Sequence, residues 1–351
     1  MPNSPLPHED LEQVLADTRT LWAGMRGRAF FIAGGTGFFG QWLLESFSLA
    51  NDALKLGMRA VVLTRDPEAF GRKAPHLMGR SDFVFLQGDL RTFAFPAGRF
   101  DYLIHSAADT AIWTKGAGAD RLPDSIVAET RHLLDFASHS GVGNFLLVSS
   151  GSIYGQQPSG MPRVPESYSG APDPLLAASA WGEGKRLTEH MCALHAAKHG
   201  YAMKVARGFA FVGPHLPMDV GYAIGNFIGD VITRRPIKVT GDGSAIRSYQ
   251  YASDLATWLW TILFRGSAGR AYNVGSADAV TIGELACEVA ALLGANSAPT
   301  FGAPAVTGVP VSRYVPDIAR AADELQLQNR VSLAEGILKT ARWAGWQEPR
   351  T

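Results

Sequence analysis

In the run AWGEGKRLTEH, residues 180–190, Trp181 stands one helical turn before Lys185. An indole N–H donates a hydrogen bond but neither accepts nor releases a proton near neutrality. If this run lines an active site, one chemical part is missing from it. A second run, FFIAGGTGFFGQWLL, sets Gly34, Gly37 and Gly40 in a G-x-x-G-x-x-G array between a strand-like and a helix-like segment. The first glycine permits a tight turn, the second lets backbone approach a pyrophosphate, and the third lets helix and strand pack closely. The helix amino terminus then faces the phosphates. Thr36, Phe38 and Phe39 complete this candidate dinucleotide loop.

The elements that must hold these residues are legible as an alternation. AFFIA (29–33), AVVL (60–63), FVFL (83–86), YLIH (102–105) and FLLVS (145–149) are short apolar runs bounded by polar or small residues. Such runs read as strands buried on both faces. Helix-like segments such as GQWLLESFSLAN and SIVAETRHLLDFASHS separate several of them. The expected fold is therefore α/β, a Rossmann-type doubly wound parallel sheet with its site at the carboxyl ends of the strands. After MKVARG (203–208) strands become sparse and helices such as TIGELACEVAALL dominate. This predicts an N-terminal helical extension over 1–26, a dinucleotide-binding domain over 27–207 and a smaller mixed α/β substrate lobe over 208–351, with some segments returning to the first domain. In the extension, Leu11, Leu15 and Trp22 have near-helical spacing, as for an amphipathic helix packed on the body or on a partner chain.

Composition limits the chemistry further. With 351 residues and 46% apolar content the chain can bury a large core, and its 32 basic residues balance 32 acidic ones. No basic field exists for nucleic acid or an anionic membrane surface to follow. Cys192 and Cys287 are the only cysteines, and no Cys/His cluster accompanies them, so neither a disulfide framework nor a metal site is expected. The amino terminus carries acid where a signal peptide carries base, and the chain reads as cytoplasmic. The apolar stretch LATWLWTILF, from Leu255, has about half the ~20 residues a membrane span needs and suits a buried helix.

HSAAD and VSSGSIYG at two strand ends, together with Lys185, complete a set that resembles the extended short-chain dehydrogenase/reductase family. The resemblance runs from about Arg28 onward through GDL (88–90), RGFAFVGP (207–214), GDGSAIRSYQYASDLA (241–256), YNVGS (272–276) and RYVPDIARA (313–321). The order of these motifs is similar to that of the nucleotide-sugar epimerases, dehydratases and decarboxylases. It implies NAD or NADP as cofactor, a nucleoside diphosphate sugar as ligand, and a homodimer. By the same resemblance Asp89 and Leu90 lie by the adenine, Ala107 and Ala108 lie along the cofactor backbone, and Lys185 holds the nicotinamide ribose. Ser150 bonds the reacting sugar hydroxyl, Ser152, Tyr154 and Asn226 face the substrate, and Arg247 and Arg313 contact its nucleotide side. Guanidinium geometry suits two phosphate oxygens at once. Thr64 and Arg65 stand where an acid often holds the adenosine ribose. Arg65 either faces a 2'-phosphate, as in NADP enzymes, or is a solvated loop charge, with Asp66 beside it.

Three departures from the family pattern bear on the reaction. The pattern Tyr-x-x-x-Lys is here Trp181-x-x-x-Lys185, and none of the nine tyrosines has Lys four residues later. Tyr154, Tyr168, Glu183 and Lys185 itself are the nearby groups left to move a proton. The Asp-Glu pair that follows the serine in the dehydratases is Gly151-Ser152, which disfavours water elimination, and the asparagine of N-x-x-G-T is Ile126. His105 reads as a strand-end residue near the cofactor, and Asp254 as a helix cap. The expected activity is a nucleotide-sugar epimerase that oxidises a sugar hydroxyl transiently. An NADPH-dependent reductase of a keto sugar, and a binding protein impaired by Trp181, are the alternatives.

Overall fold

In the computed structural model, which describes residues 4–107, 121–304 and 311–348, seven parallel strands form the central sheet. They are β1 (Ala29–Ala33), β2 (Arg59–Thr64), β3 (Phe83–Gln87), β4 (Tyr102–His105), β5 (Asn144–Ser150), β6 (Ala202–Gly208) and β7 (Arg270–Val274). Their order is β7-β6-β5-β4-β1-β2-β3. Strand β1 shows why continuous apolar runs are required: all five residues are buried, with Phe30 and Ile32 in one core cluster and Ala29, Phe31 and Ala33 in the other. The strand order reverses on either side of β1, so the crevice between the ends of β1 and β4 is the place for a ligand.

Helix α1 (His8–Thr18) and helix α2 (Phe38–Ala53) cover one sheet face. Helices α3 (Leu122–His139) and α4 (Ala180–His199) cover the other. The described segments beyond Gly208 divide between a helical cluster and the central sheet. Helix α5 (Ala223–Ile232), helix α7 (Ile282–Leu293) and helix α8 (Leu333–Trp343) pack on one another. Between α5 and α7 in the chain, helix α6 (Ala252–Arg265) returns to the first face of the central sheet, where Trp258 and Trp260 are fully buried, and β7 joins the sheet edge beside β6. The stretch LATWLWTILF is thus a core helix, and no helix among the described residues is long and apolar enough to cross a membrane. A small sheet sets Ile246–Arg247 between Val280–Thr281 and Arg313–Tyr314.

The N-terminal helix packs on the body of its own chain. Asp10, 3% exposed, accepts a hydrogen bond from Tyr251 Oη at 2.6 Å and pairs with Lys339 Nζ at 2.7 Å, tying α1 to the residue that precedes α6 and to α8. Removing one partner of a buried pair leaves the other charge uncompensated. Asp10→Ala is therefore expected to destabilise the fold by about 3 kcal/mol, read from urea unfolding. An unchanged midpoint would show that this junction carries no stability.

Candidate active site

The β1–α2 turn is built for close approach. Gly34 has φ +90°, and a Cβ there would lie 2.3 Å from the Ala107 nitrogen. At Gly40 a Cβ would lie 2.3 Å from the Gly34 carbonyl oxygen. Gly37 differs: it is exposed, its φ is −83°, and a Cβ would meet only the Gly34 oxygen at 3.6 Å. It is also the N-cap of α2, with no side chain capping the helix. The first-turn N–H groups of α2 therefore face an open cradle without a side-chain acceptor, which is the arrangement a pyrophosphate fits. Phe38 and Phe39 turn inward, Phe39 meeting Phe211 edge-on at 4.9 Å, and Thr36 is half-buried beside them.

Asp89, which follows β3, is held by Arg91 through bonds of 2.7 and 2.8 Å, and that pairing lowers its carboxyl to about 2. Leu90 packs against the core beside it. Asp66 is engaged elsewhere, accepting from Ala69 N at 2.8 Å as the cap of the following helix. Arg65 is exposed at the end of β2. Ala107 follows β4 and lies against the glycine turn, whereas Ala108 lies outside the described residues.

Helix α4 brings Trp181 and Lys185 onto one face. It can lie this close because Gly182 and Gly184 lack side chains: a Cβ at Gly182 would be 2.7 Å from the Ser152 carbonyl oxygen, and one at Gly184 would be 2.2 Å from Ile126 Cδ1. Ile126 thus fills with methyl groups the place of the family asparagine. Lys185 Nζ is buried, donates to the Val148 carbonyl at 3.2 Å, and sits 5.0 Å from the Trp181 ring centroid. The indole is a cation–π partner for the ammonium. Burial pushes Lys185 down to about 8, and Glu129 acts in the opposite direction.

Glu129, which the motif reading passes over, lines one pocket with Trp181, Lys185, His105 and Ile126. It stands at the glycine of the N-x-x-G-T pattern, a departure as readable as Ile126. His105 is 4% exposed; burial first, then the Lys185 charge, push it down to about 3, so it is neutral at physiological pH.

Ser150 ends β5 and caps a single 3-10 turn, Gly151–Tyr154. Ser152 donates to its Oγ at 2.9 Å through the hydroxyl and at 3.2 Å through the backbone N–H. Tyr154 is not open to a ligand. It is 2% exposed, donates to Asn273 Oδ1 at 2.8 Å, and accepts from Arg207 Nη1 at 2.9 Å, while burial pushes its phenol up to about 12. The expected substrate contact is instead a strut between β5 and β7, and Tyr154 drops out as a proton acceptor. Tyr168 packs in the same aromatic cluster, and Glu183 lies 3.9 Å from Arg186. Asp254 caps nothing in its own helix; its carboxylate accepts from Arg330 N and Val331 N at 3.0 and 3.1 Å.

The phenol that does reach Ser150 is Tyr314, which the sequence pattern leaves in the shadow of its neighbour Arg313. Tyr314 Oη lies 3.4 Å from Ser150 Oγ and 3.3 Å from the Gly208 carbonyl, and its ring rests on Phe209 at 4.6 Å. Across the small sheet Tyr314 is the register partner of Arg247. The Arg247 guanidinium donates to the Ile246 and Ser312 carbonyls at 2.8 and 3.2 Å. Arg313 reaches the Pro162 carbonyl at 3.5 Å, and Asn226, on α5, has a buried Oδ1 without a hydrogen-bond partner among the described residues. Ser150 at the β5 end, Tyr314 and its register partner Arg247 thus lie together.

Residues 30–275 match the NAD dependent epimerase/dehydratase family. The chain belongs to that family. Among curated relatives, UDP-glucuronic acid decarboxylase 1 of Arabidopsis thaliana is 28% identical over 316 residues, 90% of this chain and 69% of the relative. Two solved structures share the fold. A dTDP-glucose 4,6-dehydratase from Streptomyces venezuelae, with NAD and TYD bound, has a TM-score of 0.75 at 24% identity, covering 92% of this chain and 99% of its own. A UDP-glucuronic acid 4-epimerase from Bacillus cereus, in complex with UDP-glucuronic acid and NAD, has a TM-score of 0.75 at 22% identity, covering 90% and 98%.

Proposed function

We propose that this member of the epimerase/dehydratase family binds a nucleoside diphosphate sugar beside NAD or NADP and inverts a ring carbon by transient oxidation of its hydroxyl. The observation that carries this reading is the continuity from Ser150 through Tyr314 to Arg247: a hydroxyl anchor at the β5 end and a guanidinium for the diphosphate, joined by one aromatic residue. When bound, NAD supplies a hydride acceptor beside the sugar carbon. Ser150, oriented by Ser152, holds the sugar hydroxyl; Lys185, fixed by the Val148 carbonyl, is positioned for the nicotinamide ribose. Gly151 and Ser152 leave out the acid pair that water elimination needs. Arg65, with Asp66 occupied as a helix cap, supports acceptance of a 2'-phosphate.

A second reading, decarboxylation of a nucleotide-linked uronic acid, is favoured by the 28% identity to UDP-glucuronic acid decarboxylase over 90% of the chain. It begins with the same oxidation. Incubating the protein with UDP-glucose and with UDP-glucuronic acid separates the two: an epimerase yields the inverted sugar without loss of carbon, whereas release of carbon dioxide from the uronic acid would replace the first reading by the second. Arg247→Ala is expected to weaken binding of either nucleotide sugar by about 2 kcal/mol or more while sparing the free sugar, as for a lost charge-assisted pair. Equal losses for both ligands in calorimetry would show that Arg247 is not the phosphate clamp.

A further inference from the structure

Position 181 cannot move a proton, so the hydroxyl chemistry needs an oxygen or nitrogen acid from elsewhere. The four groups closest to it in the sequence pattern are each compromised. Tyr154 is saturated by Arg207 and Asn273, Tyr168 is packed in its cluster, Glu183 lies near Arg186, and Lys185 is buried against the Val148 carbonyl. One further phenol lies beside the serine that the reaction centres on.

We infer that Tyr314, delivered from the C-terminal segment, is the catalytic phenol of this chain, exchanging the sugar hydroxyl proton through Ser150. The inference rests on the nucleotide-sugar reading above. Two contacts fix where the phenol stands: Ser150 Oγ at 3.4 Å and the Gly208 carbonyl, which accepts its proton, at 3.3 Å. Ser152 Oγ holds Ser150 Oγ in turn at 2.9 Å. The Ser150–Tyr314 distance is long for O–H···O, as catalytic hydrogen bonds often are before substrate tightens them. The Phe209 ring fixes the direction of the phenol, and the charge of Arg247, its register partner, acts on the phenol against the effect of burial.

Tyr314 enters the step as phenolate, its proton lost beforehand to solvent. With a dinucleotide bound to supply the hydride acceptor, the sugar hydroxyl proton would pass to Ser150 Oγ and the Ser150 proton to Tyr314 Oη. The C–H electron pair would leave as hydride while the O–H bond breaks, giving the carbonyl, and the hydride would return to the other face as the two protons retrace their path. Burial pushes the Tyr314 phenol up to about 12, against the opposing effects of Ser150 and Arg247. The ionised fraction is therefore small near neutrality, and turnover is slow in proportion.

The decisive experiment compares the wild type, Tyr314→Phe, Trp181→Tyr, and Tyr314→Phe combined with Trp181→Tyr. Tyr314→Phe is expected to lower turnover about 100-fold, the usual loss for a proton-transfer group, while NAD and UDP-sugar affinities measured by calorimetry stay within about twofold, a change of about 0.4 kcal/mol. Tyr314→Phe combined with Trp181→Tyr is expected to turn over as fast as Trp181→Tyr alone, because the phenol beside Lys185 then takes the proton and 314 is no longer needed; a merely structural role at 314 would cost about 100-fold in both backgrounds. Retained turnover in Tyr314→Phe, or an equal loss in the Trp181→Tyr background, overturns the inference. If Phe at 314 does not fold, a fluorinated tyrosine incorporated at 314 keeps the hydroxyl and acidifies it. Turnover then rises if Tyr314 takes the proton, and an unchanged rate overturns the inference. Absence of turnover in both the wild type and Trp181→Tyr, with every nucleotide sugar, would remove the nucleotide-sugar reading first and this inference with it.

Discussion

Trp181→Tyr is expected to raise turnover with a nucleotide-sugar substrate by on the order of 100-fold. The indole centroid lies 5.0 Å from Lys185 Nζ, so a phenol built on the same backbone stands beside the ammonium. Nearby positive charge favours phenolate, which brings the acidity of the new hydroxyl toward neutrality. Burial acts the other way at Tyr314, holding its phenol near about 12, so the new group holds far more of its reactive form at working pH. Both side chains are large aromatics and the half-buried site tolerates the exchange. Lys185→Met in the same background should cancel the gain, since the phenol then keeps its ordinary value near ~10. Steady-state rates of the single and double variants check this. An unchanged rate in Trp181→Tyr would mean that proton transfer does not limit turnover.

Gly37→Asp should abolish dinucleotide binding while leaving the fold at least as stable. Its Cβ meets only the Gly34 oxygen, at 3.6 Å, so the side chain has room. Gly37 is the N-cap of α2, a position where aspartate accepts from first-turn N–H groups and adds a few tenths of a kcal/mol over glycine. The same carboxylate occupies and repels the site of the pyrophosphate. Affinity for NAD or NADP should fall about 100-fold or more, corresponding to about 3 kcal/mol, with an unchanged or raised melting temperature. Undiminished affinity in calorimetry would remove the cradle from this turn.

The central strands were legible because burial on both faces leaves a continuous apolar run, and β1 through β5 carry such runs. Strand β7 carries none: in Arg270–Val274 only Tyr272, Asn273 and Val274 are fully buried, and its place beside β6 at the sheet edge is set by long-range pairing that no local pattern announces. For that reason the sequence indicates that segments beyond Gly208 return to the first domain without saying which; they are α6 and β7, on the central sheet. Within the site, glycine spacing and the Trp181–Lys185 step were readable because each depends on neighbours in sequence. Tyr314 was not, since its partner Ser150 is 164 positions away and is met only after the small sheet forms. Tyr154 shows the reverse case: the family resemblance implies a ligand contact, whereas Arg207 and Asn273, both distant in sequence, consume its hydroxyl. Asp254 looked like a local cap and instead holds the backbone of Arg330 and Val331.

The most direct test is a rapid-mixing measurement of the protein loaded with NAD against UDP-glucose and UDP-glucuronic acid, following the near-ultraviolet absorbance of reduced nicotinamide. Transient oxidation of a sugar hydroxyl predicts that the absorbance rises and then decays as the altered sugar accumulates, faster in Trp181→Tyr and slower in Tyr314→Phe. Tight binding of both ligands with no absorbance change in any of the three proteins would contradict it and leave a protein that holds a nucleotide sugar without oxidising it.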